Sequence, residues 1–107
     1  MTVLRVCYKS GVRFDESYYL STHLPLAGSI MGQYLVRNPE IVKFGPNPDG
    51  STPPYQVMFS VYFESSVTLH KAMADPRMPE VLGDIKNYYD AAPDLLVGEV
   101  VALPSSA

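Results

Sequence analysis

A histidine and a tyrosine near the N-terminus have the types and spacing that acid/base chemistry requires. On a helix, His23 and Tyr19 lie four residues apart and share one face with Ala27 and Ile30. Histidine titrates near pH ~6.5, so a Tyr–His pair at the rim of a pocket can move a proton at neutral pH. The alternative is a core histidine whose ring is satisfied by one backbone carbonyl.

Pro25 is a second signal beside His23. Proline has no N–H to bond the carbonyl of Ser21, and its ring crowds that carbonyl. The sequence therefore predicts a kink or break between Ser21 and Leu24, after which the helix resumes. Departures from local regularity are enriched at functional sites, which favours a functional His23 over a purely structural one.

The other reactive side chains give weaker signals. Cys7 is the single cysteine, and it behaves either as a buried apolar side chain, which we favour, or as a nucleophile stabilised by Arg5 or Lys9. Asp84 interrupts an apolar helix, where it is either solvated or bonded to a neighbouring loop. The two histidines lack HxxxH and HExxH spacing, and neither GxGxxG nor GK[ST] occurs, so we predict neither a metal site nor a nucleotide cofactor.

These residues are positioned by a strand, a helix, two strands, a helix and a strand. Strand-forming stretches cover residues 2–9, 34–44, 55–64 and 95–103, and residues 45–54 form a turn-rich loop. The first helix begins at Glu16, with Asp15 as N-cap and Phe14 stapled onto Tyr19. Ser65 or Ser66 caps a second helical region, which continues to about Asp75, breaks at Pro76 and resumes at Pro79. This order predicts one α+β domain over residues 1–107 with a ferredoxin-like βαββαβ fold, a four-stranded antiparallel sheet and helices on one face.

The two faces of the predicted sheet differ in character, because side chains alternate along a strand. Alternate residues from Tyr55 to Phe63, together with Leu4, Val6 and Tyr8, form an apolar face that we expect beneath the helices. The opposite face is too apolar for open water and too polar for a dry core, since it carries Val3, Arg5, Cys7, Gln56, Met58, Ser60, Tyr62 and Glu64. We therefore predict a homodimer, a dimeric α/β barrel whose two sheets close around a partly polar pocket.

Composition excludes several classes of partner. The 8 basic and 11 acidic residues give a net charge of -3 without forming a run, so we expect neither nucleic acid nor membrane as a partner. No window approaches the ~20 apolar residues of a membrane helix. The N-terminus lacks the pattern of a signal peptide, and we expect a cytoplasmic protein.

The segment FDESYYLSTHLPLA, from Phe14 to Ala27, resembles the FDxxYYxxxHxPLA-like segment of the EthD family. Residues 74–76 and 84–88 are similar to the second half of that family. The resemblance implies a small dimeric α+β barrel with His23 and Pro25 at its pocket and Tyr19 and Asp84 nearby. The family includes proteins of ether breakdown and fungal cofactor-free dehydratases of aromatic polyketides, and related barrels include lactone isomerases and cofactor-free monooxygenases.

Together these signals predict a cofactor-independent lyase, dehydratase or isomerase that acts on a small cyclic or aromatic molecule. His23 is the predicted general acid/base, Tyr19 orients it or donates to an oxyanion, and Arg5 holds a carboxylate or enolate. The other predicted substrate-binding residues are Cys7, Met58, Ser60, Tyr62 and Asp84. Two alternatives stay open: a module that carries such a molecule for a separate oxygenase, and a dimer seam that binds no ligand.

Overall fold

One antiparallel sheet organises the computed structural model, which describes residues 1–102. Its strands are β1 (Thr2–Lys9), β2 (Glu40–Lys43), β3 (Tyr55–Phe63) and β4 (Asp94–Glu99), arranged in the order β2-β3-β1-β4. All three neighbouring pairs are antiparallel. The predicted ferredoxin-like α+β plan is confirmed.

The helices cover one face of the sheet. They are α1 (Glu16–Tyr18), a π-helical turn (Tyr19–His23), α2 (Leu24–Met31), α3 (Ser66–Met73) and α4 (Met78–Asp84), with 3₁₀ turns at Gly32–Tyr34 and Ile85–Asn87. Buried apolar residues of α2, α3 and α4 pack against Leu4 of β1 and Phe59, Val61 and Phe63 of β3. Among residues 1–102, no helix is long and apolar enough to span a bilayer.

The start of α1 has the predicted cap. The Asp15 carboxylate accepts a hydrogen bond of 3.1 Å from the Tyr18 N–H, which has no partner within the first helical turn. The rings of Phe14 and Tyr19 lie 4.9 Å apart, as a hydrophobic staple requires. These two contacts fix the angle at which the chain enters the helix that carries His23.

The break that Pro25 predicts is a widened turn. The Leu24 N–H bonds the carbonyl of Tyr19, five residues back, and residues 19–23 are π-helical before α2 continues. Because Pro25 cannot donate to Ser21, the wider turn lets the helix continue without that hydrogen bond. His23 is the last residue of this turn.

Two predicted strands are shorter than expected. β2 covers only Glu40–Lys43 instead of 34–44, because Tyr34 ends a 3₁₀ turn and Pro39 precedes the strand. It is an edge strand, where a proline beside the ladder is tolerated. β4 is Asp94–Glu99 instead of 95–103, and the predicted end of that strand at Leu103 lies outside the described residues.

Tyr55 does not lie on the face predicted for it, because β3 contains a bulge. Tyr8 pairs with Val57, but Lys9 pairs with Tyr55, so Gln56 is the extra residue. Tyr55 consequently lies on the side of Lys9, away from the helices, and its hydroxyl donates to Asp94 at 2.8 Å. The Gln56 amide donates to the carbonyls of Lys9 and Val12 at 2.8 Å each.

We predict that Phe63→Ala lowers the free energy of unfolding by about 3–5 kcal/mol, because Phe63 is fully buried between sheet and helices. Phe44→Ala is the matched control, since Phe44 is 40% exposed and its loss costs about 0.5 kcal/mol. Urea denaturation of both variants measures these values. Equal losses in the two variants would contradict the described core.

Candidate active site

His23 is held at the end of the π-helical turn by a carboxylate from the other half of the fold. Its Nδ1 lies 2.9 Å from Oδ2 of Asp84, the last residue of α4, and the His23 side chain is almost fully buried. The pair therefore connects the first helical segment to the second across 61 residues of sequence. The ring is satisfied by side chains, and not by one backbone carbonyl as in the structural alternative.

The Asp84 carboxylate is itself positioned by two further donors. Its Oδ1 accepts from the Tyr18 hydroxyl at 2.6 Å and from the Asn87 amide at 2.9 Å. Burial raises the pKa of the Asp84 carboxyl, but the hydrogen bonds from Tyr18, Asn87 and His23 outweigh it and leave that pKa below its ordinary value. Asp84 is thus ionised at neutral pH.

The second ring nitrogen of His23 faces a pair of phenols. Nε2 lies 3.1 Å from the Tyr88 hydroxyl, which lies 2.7 Å from the Tyr8 hydroxyl. Burial lowers the pKa of His23, and this effect exceeds the opposing influence of Asp84. The imidazole is therefore neutral at pH 7, with Nδ1–H donating to Asp84 and Nε2 accepting from Tyr88.

Tyr19 lies beside His23, but the two side chains stack and share no hydrogen bond. The ring centroids are 5.5 Å apart with an angle of 17° between the planes. The Tyr19 hydroxyl is buried, and within residues 1–102 it has no hydrogen-bond partner. Tyr19 thus restricts the tilt of the imidazole through its ring.

An apolar cavity of about 260 Å³ adjoins this cluster on the helical side of the sheet. β1, β3, β4, α2 and α4 all contribute to its wall. His23 and Tyr8 line it, and the other lining side chains are hydrocarbon or thioether, among them Leu4, Val6, Phe59, Met73, Val81 and Leu95. The volume is slightly below the ~300–1,000 Å³ of drug-sized ligand pockets, so the cavity suits a small molecule.

Five of the predicted substrate-binding residues are not near this cavity. Arg5, Cys7, Met58, Ser60 and Tyr62 lie on the opposite side of the sheet, which we call the outer face. The expectation that they share one pocket with His23 is wrong, because residues 5 and 7 alternate with residues 4, 6 and 8, which point to the helices. Of the predicted set, the structure brings together His23, Tyr19 and Asp84.

The outer-face residues have environments of their own. Arg5 is exposed. The Arg37 guanidinium lies 4.5 Å from the centre of the Tyr62 ring, at cation–π distance. Cys7 and Ser60 are buried, Met58 is half-buried, and burial raises the pKa of the Cys7 thiol, which opposes a nucleophilic role.

Sequence reasoning missed Tyr8 and Tyr88. Tyr8 ends the apolar row of Leu4 and Val6 on β1, and Tyr88 follows Asp84 by four residues in an apolar helical pattern. Tyr8 was assigned to the apolar face beneath the helices, and both side chains lie in the core. The sequence did contain one signal for them, because a tyrosine that is buried needs a hydrogen-bond partner for its hydroxyl.

No three side chains among the His, Cys, Asp and Glu residues of positions 1–102 converge as a metal ion would require. The polar groups of the site are an imidazole, a carboxylate, an amide and phenols. These groups can bind a polar ligand atom and exchange a proton with it.

Comparison with known proteins assigns the chain to a family. The model of the EthD domain matches residues 13–92, about three quarters of the sequence. The chain belongs to the EthD family. This range contains the His23–Asp84 pair and Tyr88, so the cluster lies within the EthD domain.

Solved structures agree with this EthD assignment. An EthD-like protein from Ralstonia eutropha is 30% identical with a TM-score of 0.84, covering 99% of this chain and 96% of that one. An ethyl tert-butyl ether D family protein from Bacillus halodurans is 23% identical with a TM-score of 0.76, covering 94% and 99%. A Deinococcus radiodurans protein described as an antibiotic biosynthesis monooxygenase shares the fold at 7% identity and a TM-score of 0.62, over 100% and 99% of the two chains. Comparison with curated proteins gives no match.

The lowered pKa of His23 predicts a loss of stability in mild acid. Below the ordinary value of 6.5, the unfolded chain takes up a proton that the folded imidazole resists. The free energy of unfolding is therefore highest above pH 6.5 and falls as the pH decreases toward the folded pKa of His23.

We expect His23→Gln to flatten this dependence between pH 7 and pH 5, and His70→Gln, a change on the exposed side of α3, to retain it. Urea midpoints across this pH range measure the slope. A slope that persisted unchanged in His23→Gln would refute the assignment of this pH dependence to His23.

Proposed function

We propose that this EthD-family protein is a cofactor-independent enzyme that moves a proton on a small cyclic or aromatic molecule, as a lyase or dehydratase or as an isomerase. One observation carries the proposal: a neutral imidazole, held by an ionised carboxylate, lines an apolar cavity. In such a place His23 is the general acid/base, and Asp84 stabilises the imidazolium that forms when it accepts a proton.

The wall of the cavity selects the charge of the ligand. Within the described residues its lining contains neither lysine nor arginine, and Arg5 lies on the outer face. A carboxylate bound here would lose its hydration without gaining a counter-ion. The proposed substrate is therefore a neutral molecule with an apolar body and one polar group near His23.

A second function, a binding module without turnover, is favoured by a specific observation. Both ring nitrogens of His23 are already hydrogen-bonded within the protein. A satisfied imidazole of this kind also suits a structural role beside a pocket that only sequesters its ligand for a separate oxygenase.

Activity measurements separate the two functions. Purified protein is incubated without added cofactor with phenols, lactones and hydroxylated polyketide fragments, and conversion is followed by absorbance and mass. We expect His23→Gln to lower kcat by about 10²–10⁴ while ligand affinity changes little, because the group moves a proton but contributes little to binding.

His70→Gln is the control and retains wild-type turnover. Ligand-induced thermal stabilisation of both wild type and His23→Gln, without conversion by either, would establish the binding module and contradict the enzyme.

We also propose that the outer face is covered by a second copy of the chain. Val3, Met58 and Tyr62 are half-buried there without helical cover, and Val42 and Leu96 are exposed on strands that flank them. The mixture of apolar and charged side chains fits an interface that closes around some polar groups.

Light scattering at micromolar concentration is expected to give twice the 11.8 kDa of one chain. Leu96→Lys places a charge on the outer face and shifts the mass toward the monomer, because a charge there is desolvated without a partner. Val67→Lys is the matched control on the exposed side of α3, at a side chain with similar exposure, 61% against 49% for Leu96. A monomeric wild type would overturn the dimer.

A further inference from the structure

His23 has no free nitrogen with which to meet a ligand. Nδ1 is bonded to Asp84 and Nε2 is approached by the Tyr88 hydroxyl. Tyr88 is not among the residues that line the cavity, whereas Tyr8, its hydrogen-bond partner, is. A continuous path of hydrogen bonds therefore leads from Tyr8, a residue that lines the cavity, through Tyr88 to the imidazole.

The donor and the acceptor in each of these hydrogen bonds follow from the Asp84 carboxylate, which can only accept. The Asp84 carboxylate accepts, so Nδ1 carries the proton of the neutral ring and Nε2 is an acceptor. The Tyr88 hydroxyl donates to Nε2, and its oxygen then accepts from Tyr8. Both hydroxyls thus donate along the path toward His23, and the Tyr8 oxygen, which donates its proton to Tyr88, keeps acceptor capacity for a ligand.

The geometry points to Tyr8 as the residue that exchanges a proton with the ligand, with the Tyr88 and Tyr8 hydroxyls forming a relay to His23 and deprotonation of the ligand as the first step. This inference rests on the proposed function and specifies how the proton reaches His23. Burial raises the pKa of both phenols, so each is a neutral hydroxyl that passes a proton on without becoming a stable phenolate.

The step balances without a co-reactant. A C–H or O–H bond of the ligand breaks and its electron pair stays on the ligand. The Tyr8 oxygen takes this proton as the Tyr8 proton passes to the Tyr88 oxygen and the Tyr88 proton passes to Nε2. The products are a ligand anion and an imidazolium, and the Asp84 carboxylate bonds the Nδ1–H of that imidazolium.

The return of the proton completes the reaction. In an isomerisation, the proton goes back to a different atom of the ligand. In a dehydration, the ligand anion expels hydroxide, which takes the returning proton and leaves as water. Because burial weakens His23 as a base, the ligand proton must be acidified by an adjacent carbonyl or an aromatic ring. Suitable substrates are thus neutral ketones with an α-proton, and phenols.

The acceptor character of Tyr8 is testable by binding alone. p-Cresol can donate a hydrogen bond, whereas 4-methylanisole has a similar shape but cannot. We expect wild-type protein to bind p-cresol about threefold to tenfold more tightly, as one hydrogen bond provides, and Tyr8→Phe to bind both equally. Calorimetric titration measures the two affinities.

Tyr34→Phe is the control, because it also removes one phenol hydroxyl and its hydrogen bond, in this case to Asp75, outside the site. This variant keeps the preference for p-cresol. Equal affinities in wild type, a preference that survives in Tyr8→Phe, or failure of wild type to bind either probe at millimolar concentration would overturn the inference.

Proton transfer is followed separately by deuterium exchange from solvent into the α-position of 2-tetralone, observed by NMR. We expect Tyr8→Phe, Tyr88→Phe and His23→Gln each to reduce enzyme-dependent exchange by at least about tenfold. Exchange lost only in His23→Gln would leave the proposed function intact and refute the relay.

Absence of exchange in wild type, with the p-cresol preference present and sensitive to Tyr8, would instead refute the enzymatic function and leave Tyr8 as the group that receives the ligand.

Discussion

The hydrogen bond between His23 and Asp84 is the contact on which the site depends. It joins the end of the π-helical turn to the end of α4, so the two helical segments meet over the cavity through one imidazole and one carboxylate. Tyr18 and Asn87 fix the far oxygen of that carboxylate, and the Tyr19 ring limits the tilt of the imidazole. Because buried polar groups that lack partners are costly, these contacts support one another, and loss of one leaves the others unsatisfied.

Much of the fold could be predicted because local physics determines it. Asp15 and Phe14 indicated where the first helix begins, and Pro25 indicated where it deforms, since a missing N–H acts on the nearest turn whatever the rest of the chain does. The alternation of β3 gave the face beneath the helices for Val57 to Phe63 but failed at Tyr55. A bulge there depends on pairing with Lys9, which no window of β3 contains.

The site was only partly predictable from the sequence, because contacts between distant parts of the chain determine it. Helical spacing placed Tyr19 beside His23, and the resemblance to the EthD family placed Asp84 near them. The side of the sheet that holds the cavity is set by how α2 and α4 pack, so a mixed outer face with Arg5 and Tyr62 was mistaken for the pocket wall. Tyr8 and Tyr88 looked like core residues, because a phenol shows its hydroxyl chemistry only once its partner across the fold is known.

Successive residues of β1 contribute to opposite sides of the sheet. Leu4, Val6 and Tyr8 belong to the cavity, while Arg5 and Cys7 belong to the outer face, and only the thickness of one backbone separates the two. Substitutions at positions 4, 6 and 8 therefore change the wall of the cavity, and those at positions 5 and 7 change the outer face. A lineage can thus alter one surface of this strand while the other keeps its side chains.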